Sequence, residues 1–372
     1  MRKDDVKAII LIFFILLLIS AIAIFGIDMY RQIIEEQTKN ETKELYTSNV
    51  TILPEEDKKN NTLVVEHNDS VLNQISSSSS SDIKNKEGYY YKQLDKYSKI
   101  IYDKLKSNKE NMKSGTYKID FGKAFNELLA TANGGELLQQ YYQSAIESYL
   151  YDNPDVFYLA PTKMYLNIQT TKKLFSTTYE VFIDSGDNSN YLAEGYNSKQ
   201  QILDVEKQIE QVAQQIISKA TGKIAYKKIL TVHDYLVDNL AYERTISKPN
   251  IYNIYGALVN KEAVCEGYAK AFKYLMDQLG VETVIIIGAA TDSEGNTQNH
   301  AWNYVKLDNT WYAVDVTWDD PIILGGWLIK EYKYQYFLKG SDTMNEDHTE
   351  RFSFIENGKV YTHPTLSKKD YK

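Results

Sequence analysis

Three side-chain types in the second half of the chain, a thiol, an imidazole and a carboxylate, could together open an amide bond. Cys265 is the only cysteine among 372 residues, so no intrachain disulfide is possible. It lies in "KEAVCEGYAK" (261–270) and opens "CEGYAKAFKYLMDQLG", where Tyr268, Phe272, Leu275 and Leu279 recur at helical spacing and Gly280 is the expected stop. A thiol at a helix N-terminus meets unpaired N–H groups and the positive end of the backbone dipole. Both favour the nucleophilic thiolate, and the same N–H groups can receive the oxyanion formed when it attacks a carbonyl. An ordinary buried cysteine is the competing reading of that position, since free cysteine is among the most buried residue types.

A nucleophilic thiol needs a base, and the base needs an orienting group. "QNHAWNYVKLDNTWYAVDVTWDDP", from Gln298, reads as a β-hairpin with strands at about Asn299–Leu307 and Thr310–Thr317 and a two-residue turn at Asp308-Asn309. That turn pairs Leu307 with Thr310 and sets Trp302 opposite Asp315. His300 then shares a face with Asp315, on the diagonal, where Cβ atoms stand roughly 7 to 8 Å apart. An odd loop would separate them. Asp315 can therefore hold the tautomer of His300. Of the other histidines, His67 falls in a polar linker, and His348 and His363 in an irregular tail. His233 is the rival base, but it lies on the apolar line Tyr226, Ile229, Leu230, Leu236, Val237 and Leu240, where a satisfied core histidine is the usual explanation. Asp319 and Asp320 read as caps of a turn beside Pro321, rather than as metal ligands.

The elements that must position these groups are legible in outline. Residues 196–372 form the expected catalytic domain, in which "SKQQILDVEKQIEQVAQQIISKATG" opens with the capping pair Ser198 and Gln201 and spaces Ile202, Val205, Ile209, Val212 and Ile216 along one helical face. Residues 87–195 read as a small α+β accessory domain. Its helices are expected at Tyr89–Asn108, Phe121–Thr131 and Glu136–Tyr151, and its strands at Lys163–Thr170 and Leu174–Ile183. Residues 28–86 are polar, with a serine run at Ser76–Ser81, and read as a flexible, disordered tether. Ala8–Ile27, "AIILIFFILLLISAIAIFGI", is uncharged over about 30 Å of helix, enough for one transmembrane anchor within 1–27. A cleaved signal peptide competes, on the A-x-A pattern of Ala21 and Ala23, but no polar stretch precedes that site. Arg2, Lys3 and Lys7 place the N-terminus in the cytoplasm and the rest outside the cell. A net charge of −8 offers no field for nucleic acid.

The order Cys265, His300, Asp315 and the strings "AVCEGYAKAF", "HAWNYV" and "WYAVDVTWDDP" resemble the core of the transglutaminase-like superfamily, a papain-like cysteine fold. "HDYLVDNLAYE" and "IYNIYGALVNKEAVCEGYA" are similar to sequences upstream of the cysteine in bacterial members, and the resemblance spans about Tyr226–Pro321. The tether and accessory unit resemble bacterial membrane-anchored or secreted members only loosely. The resemblance implies an α+β fold in which the cysteine helix packs on an antiparallel sheet bearing the histidine and the acid. It also implies attack by Cys265 on a carboxamide or peptide carbonyl, proton transfer by His300 and orientation by Asp315. Hydrolysis, cross-linking and an inactive outcome all fit the superfamily. The expected substrate is extracellular or cell-wall protein or peptide, with no cofactor and no metal. Calcium, used by animal transglutaminases, has no matching ligand set here. The backbone N–H of Cys265 is the one oxyanion donor the sequence names. Two readings from other classes stay open: a non-catalytic cell-wall-binding or scaffold protein using the fold, and a structural cysteine with catalysis elsewhere.

Overall fold

The computed structural model of the protein describes residues 26–33, 35, 42–49, 87–320, 333–351 and 361–372. Apart from Gly26 and Ile27, the expected span lies outside them; among the described residues no helix is long and apolar enough to cross a membrane. Residues 26–33 are helical and largely exposed.

Two antiparallel sheets organise the rest. The first contains β1 (Thr42–Asn49), β2 (Ile119–Gly122), β3 (Tyr165–Lys173) and β4 (Ser176–Asp184) in the order β1-β3-β4-β2. Helix α1 (Lys96–Ser107) buries Ile101, Tyr102 and Leu105 and packs on α2 (Gly134–Asp152). Two expectations are corrected here. The tether is not structureless at 42–49, because β1 pairs with β3 along its whole length, helped by the Thr47 hydroxyl donating to Asn167 at 2.7 Å and by the Lys172–Glu44 ion pair. The helix expected at Phe121–Thr131 shrinks to Asn126–Leu129, because the open edge of β4 takes Ile119–Gly122 as a strand and Gly122 then turns the chain at φ +54°.

Helix α3 (Lys199–Ala220) is capped as its sequence predicts, Ser198 Oγ accepting from the Gln201 N–H at 3.3 Å, and it buries Ile202, Val205, Ile209 and Ile216. Helix α4 (Ala225–Asn239) follows. The short strands β5 (Ala241–Tyr242) and β6 (Glu262–Ala263) pair in parallel and deliver the chain into α5 (Cys265–Gln278). That helix ends in a Schellman motif: Gly280 adopts φ +72°, its N–H bonds the Asp277 carbonyl, and the Val281 N–H reaches Met276.

The second sheet orders β10 (Phe337–Lys339), β9 (Thr310–Val314), β8 (Thr297–Leu307), β7 (Thr283–Thr291) and β11 (His348–Arg351) side by side. Helix α5 lies on β7 and β8, and Asn303 Nδ2 donates to the Ala269 carbonyl at 3.1 Å. One contiguous buried cluster includes Ile101, Tyr142 and Leu166 from the 87–195 segment and Ile209, Phe272 and Trp302 from 196–372, so the two segments share a core.

Gly288 of β7 sits opposite His300, and a Cβ there would meet the Thr349 carbonyl oxygen at 2.1 Å and Trp302 at 2.6 Å. Backbone oxygen cannot yield without moving β11. Gly288→Ala should therefore cost about 1–3 kcal/mol, the usual penalty of overpacking, read as a lowered Tm.

Candidate active site

The hairpin register is the one its two-residue turn dictates. Asp308 and Asn309 take φ of 50° and 63°, as a type I′ turn requires, Leu307 pairs with Thr310, and the ladder runs back to Asn303 opposite Val314. The continuation brings His300 and Asp315 onto one face, and His300 Nε2 bonds Asp315 Oδ2 at 2.6 Å. With Nε2 engaged, Nδ1 is the ring nitrogen left for Cys265, which lines the same cleft as His300. The structure thus brings together all three residues that the sequence singles out.

Each is held from behind. Cys265 is half-buried and is the first residue of α5. The first intrahelical bond runs from Tyr268 N to the Val264 carbonyl, leaving the N–H groups of 265–267 without helical partners. Val264 N donates to the Ile251 carbonyl at 3.0 Å, and Gly267 is the residue that lets the 251 backbone come so close, since a Cβ would stand 2.4 Å from that oxygen. The fully buried Asp315 also accepts from the N–H groups of Thr317 and Trp318 at 3.0 and 3.2 Å. Burial alone would raise its carboxyl, but the charge and hydrogen bond of His300, with those of His348, hold it well below the usual carboxylate range. Burial likewise disfavours a charged His300; the charge and hydrogen bond of Asp315, reinforced by Cys265, outweigh it and raise the imidazole to about 10.

His348 is the residue that sequence reasoning misses. It is not in an irregular tail: β11 pairs with β7, His348 opposite Ala290, and its Nε2 bonds the same Asp315 Oδ2 at 3.1 Å. Its Nδ1 bonds Asp347 Oδ1 at 2.5 Å, and Asp347 in turn accepts from the Tyr336 hydroxyl. The rings of Trp302, Trp318 and Tyr336 surround it with centroids 4.8–5.2 Å away. Burial opposes its charged form, and Asp315 and Asp347 reverse that, raising it. Asp315 is thus fixed from two sides by imidazoles, only one of which faces the thiol.

His233 behaves as the core histidine expected. It is fully buried, with Nε2 2.9 Å from Asp319 Oδ2 and Nδ1 3.1 Å from Asp234. Asp319 and Asp320 do more than cap a surface turn: both are fully buried, Asp319 also accepting from Tyr336 N at 2.7 Å and Asp320 from the Tyr268 hydroxyl at 2.9 Å. Burial lifts Asp319 to about 6, against the pull of His233. His300, Asp315 and His348 put three ligand atoms within 4.8 Å of one another, but hydrogen bonds already join them through one carboxylate oxygen.

Cys265 and His300 open on a cleft of about 690 Å³. Its lining includes Glu147 and Tyr151 of α2 together with Tyr242, Ile246 and Asn253. The 87–195 segment therefore builds part of the site. The Tyr242 phenol, which the sequence reading also leaves out, is held neutral to well above its ordinary range, first by burial and then by the nearby Cys265 charge.

Residues 210–316 match the model of the transglutaminase-like superfamily. No curated protein matches the chain at a significant level. Among solved structures it is similar to a TGase (15% identity, 40% of this chain and 43% of that one, TM-score 0.28). It is also similar to a protein assigned as a cysteine protease from Cytophaga hutchinsonii (13%, 44% and 60%, TM-score 0.27). A third is the periplasmic domain of TgpA from Pseudomonas aeruginosa, solved with ethylmercury (12%, 42% and 72%, TM-score 0.24). The chain spans less than two thirds of the length of the first two.

Proposed function

We propose that the protein is a thiol-dependent acyl-transfer enzyme acting on protein or peptide amides, with Cys265 as nucleophile, His300 as general acid and base, and Asp315 as its orienting anion. The observation that carries this is that Cys265 and His300 line one open cleft, with Asp315 bonded to His300 from behind. His300 takes the thiol proton at Nδ1, and Sγ adds to the amide carbon while the carbonyl electrons move to oxygen. The backbone N–H of Cys265 and the neutral Tyr242 phenol then donate to that oxyanion. Collapse expels the amine with the proton from His300 and leaves a thioester. Water or a second amine attacks the thioester, His300 receives its proton, and the thiolate departs. The Asp315 anion stabilises the imidazolium in both halves and is not itself protonated.

The same proposal sets the enzyme outside the cell. Ala8–Ile27 anchors it as an uncleaved single span with a cytoplasmic N-terminus, and cell-wall or extracellular protein is the substrate class. Incubation of the full chain with a glutamine-containing protein and a labelled amine tests the chemistry, following label incorporation and peptide cleavage together. Label without cleavage identifies a transglutaminase, and cleavage alone a peptidase. Neither product, with Cys265 unreactive toward a thiol-directed amide mimic, would leave a non-catalytic scaffold.

Removing the phenolic donor should be felt in the transition state. Tyr242→Phe is expected to lower kcat on the order of 10²-fold with little change in KM, the pattern of a lost oxyanion contact. An unchanged kcat would leave the backbone N–H as the working donor.

A further inference from the structure

Strands β3 and β4 bury Leu166, Asn167 and Ile168 on one side and Val181, Phe182 and Ile183 on the other, and between these stretches no residue is buried. The distal half of the hairpin therefore leaves the core as a projecting ribbon, widened to three strands by β1. Its turn is Leu174-Phe175, exposed to 44% and 77%. Turns are ordinarily made of Gly, Asn, Asp, Pro or Ser, which suit both the backbone and water. Two large apolar side chains at the far end of a ribbon suit neither.

The direction of β1 indicates what meets them. Thr42 pairs with Lys172 and Asn49 with Tyr165, so the chain enters β1 beside the tip and then runs away from it toward the core. Upstream, Ile27 closes the uncharged segment, and residues 28–41 reach at most about 50 Å when fully extended. Residues 26–33 are helical, with Ile27 56% and Tyr30 66% exposed, so this segment does not pack into the core. The tip thus stands at the end of the first sheet from which the chain leads back to its apolar N-terminal segment.

We propose that the Leu174–Phe175 tip is a second membrane contact, seated at the boundary of headgroups and acyl chains in the bilayer that holds the N-terminal anchor. This rests on the reading of Ala8–Ile27 as an uncleaved span. Two exposed apolar residues alone make a weak bilayer contact, but an anchor on the same chain turns it into an intramolecular one that persists. Lys43, Lys172 and Lys173 lie within a few positions of the tip, Lys172 paired with Glu44, and side chains of this type can extend along an apolar surface while keeping their charge at headgroup level. The ribbon from Gln169 to Phe175 is about 20 Å long at strand rise, so it would hold the core, and with it the Cys265 cleft, at a set height above the lipid.

The test uses the full chain carrying Phe175→Trp, reconstituted in phosphatidylcholine–phosphatidylglycerol vesicles with and without bromine-labelled acyl chains. Tryptophan emission is compared with that of the unsubstituted chain, so that the difference reports the introduced indole, and vesicle flotation is followed in parallel. Flotation, with a blue-shifted difference signal that brominated lipid quenches, is the result expected. Flotation with a water-exposed, unquenched difference signal overturns the tip contact and leaves the anchor standing. Failure to float overturns both.

Discussion

Replacing Cys265 with alanine should abolish acyl transfer while leaving the fold in place. Removing the nucleophile of a triad costs on the order of 10⁶ in kcat, because the remaining groups have nothing to activate. The stability cost should be slight, within about 1 kcal/mol, because Cys265 is half-buried at a cleft and its helix is held by Tyr268, Phe272 and Leu275 inside the core. Alkylation by iodoacetamide offers a reading that needs no substrate. Cys265 should react at neutral pH about tenfold faster than free cysteine, and His300→Ala should remove that advantage, because the imidazolium that sustains the thiolate is gone. Equal rates in the two proteins would sink the ion-pair idea even if activity were present. Full activity in Cys265→Ala would move catalysis elsewhere and leave the thiol a structural one.

What the sequence made legible, and what it hid, divides along one physical line. Helices α3, α4 and α5 could be read because each carries its own evidence: an apolar stripe, a Ser198 cap, a Gly280 stop. The β8–β9 hairpin could be read because a two-residue turn fixes its own register, and the register put His300 beside Asp315 before any fold was known. The misreadings at β1, β2 and β11 concern strands at the edges of their sheets. An edge strand pairs on one side only, so its existence depends on a partner distant in sequence that no local pattern reveals. Thr47 meets Asn167, and His348 lies opposite Ala290. His348 was lost for that reason, although "DHTE" placed a histidine next to a carboxylate in plain sight. The same limit hid the wall that α2 lends to the cleft, since Glu147 and Tyr151 show nothing in sequence beyond helical periodicity.

Asp315→Asn should be costly in both activity and stability, with a pH signature that separates the two. Wild-type Asp315 takes hydrogen bonds from two imidazoles and two backbone N–H groups with no access to water. An asparagine retains the shape but not the charge. If its amide turns an N–H toward His300 Nε2, the ring must carry its proton on Nδ1, the nitrogen needed as a base toward Cys265. Activity should fall on the order of 10⁴-fold, the scale of a mis-set tautomer. Stability should fall by about 3–5 kcal/mol where the imidazoles are charged, because a buried cation has lost its anion. The sign of the pH dependence follows from the two shifts. His300 is raised to about 10, so its stabilising contribution is complete below its ordinary value near 6.5 and is lost as pH climbs through about 10. Asp315 is depressed, so its contribution is complete above the ordinary carboxylate range and is lost as pH falls below it. The Tm difference between wild type and Asp315→Asn should therefore be largest between about pH 4 and 6.5 and shrink as pH rises through about 10. A difference that does not vary with pH would mean that Asp315 acts by packing and hydrogen-bond geometry, and that the charge of His300 does not depend on it.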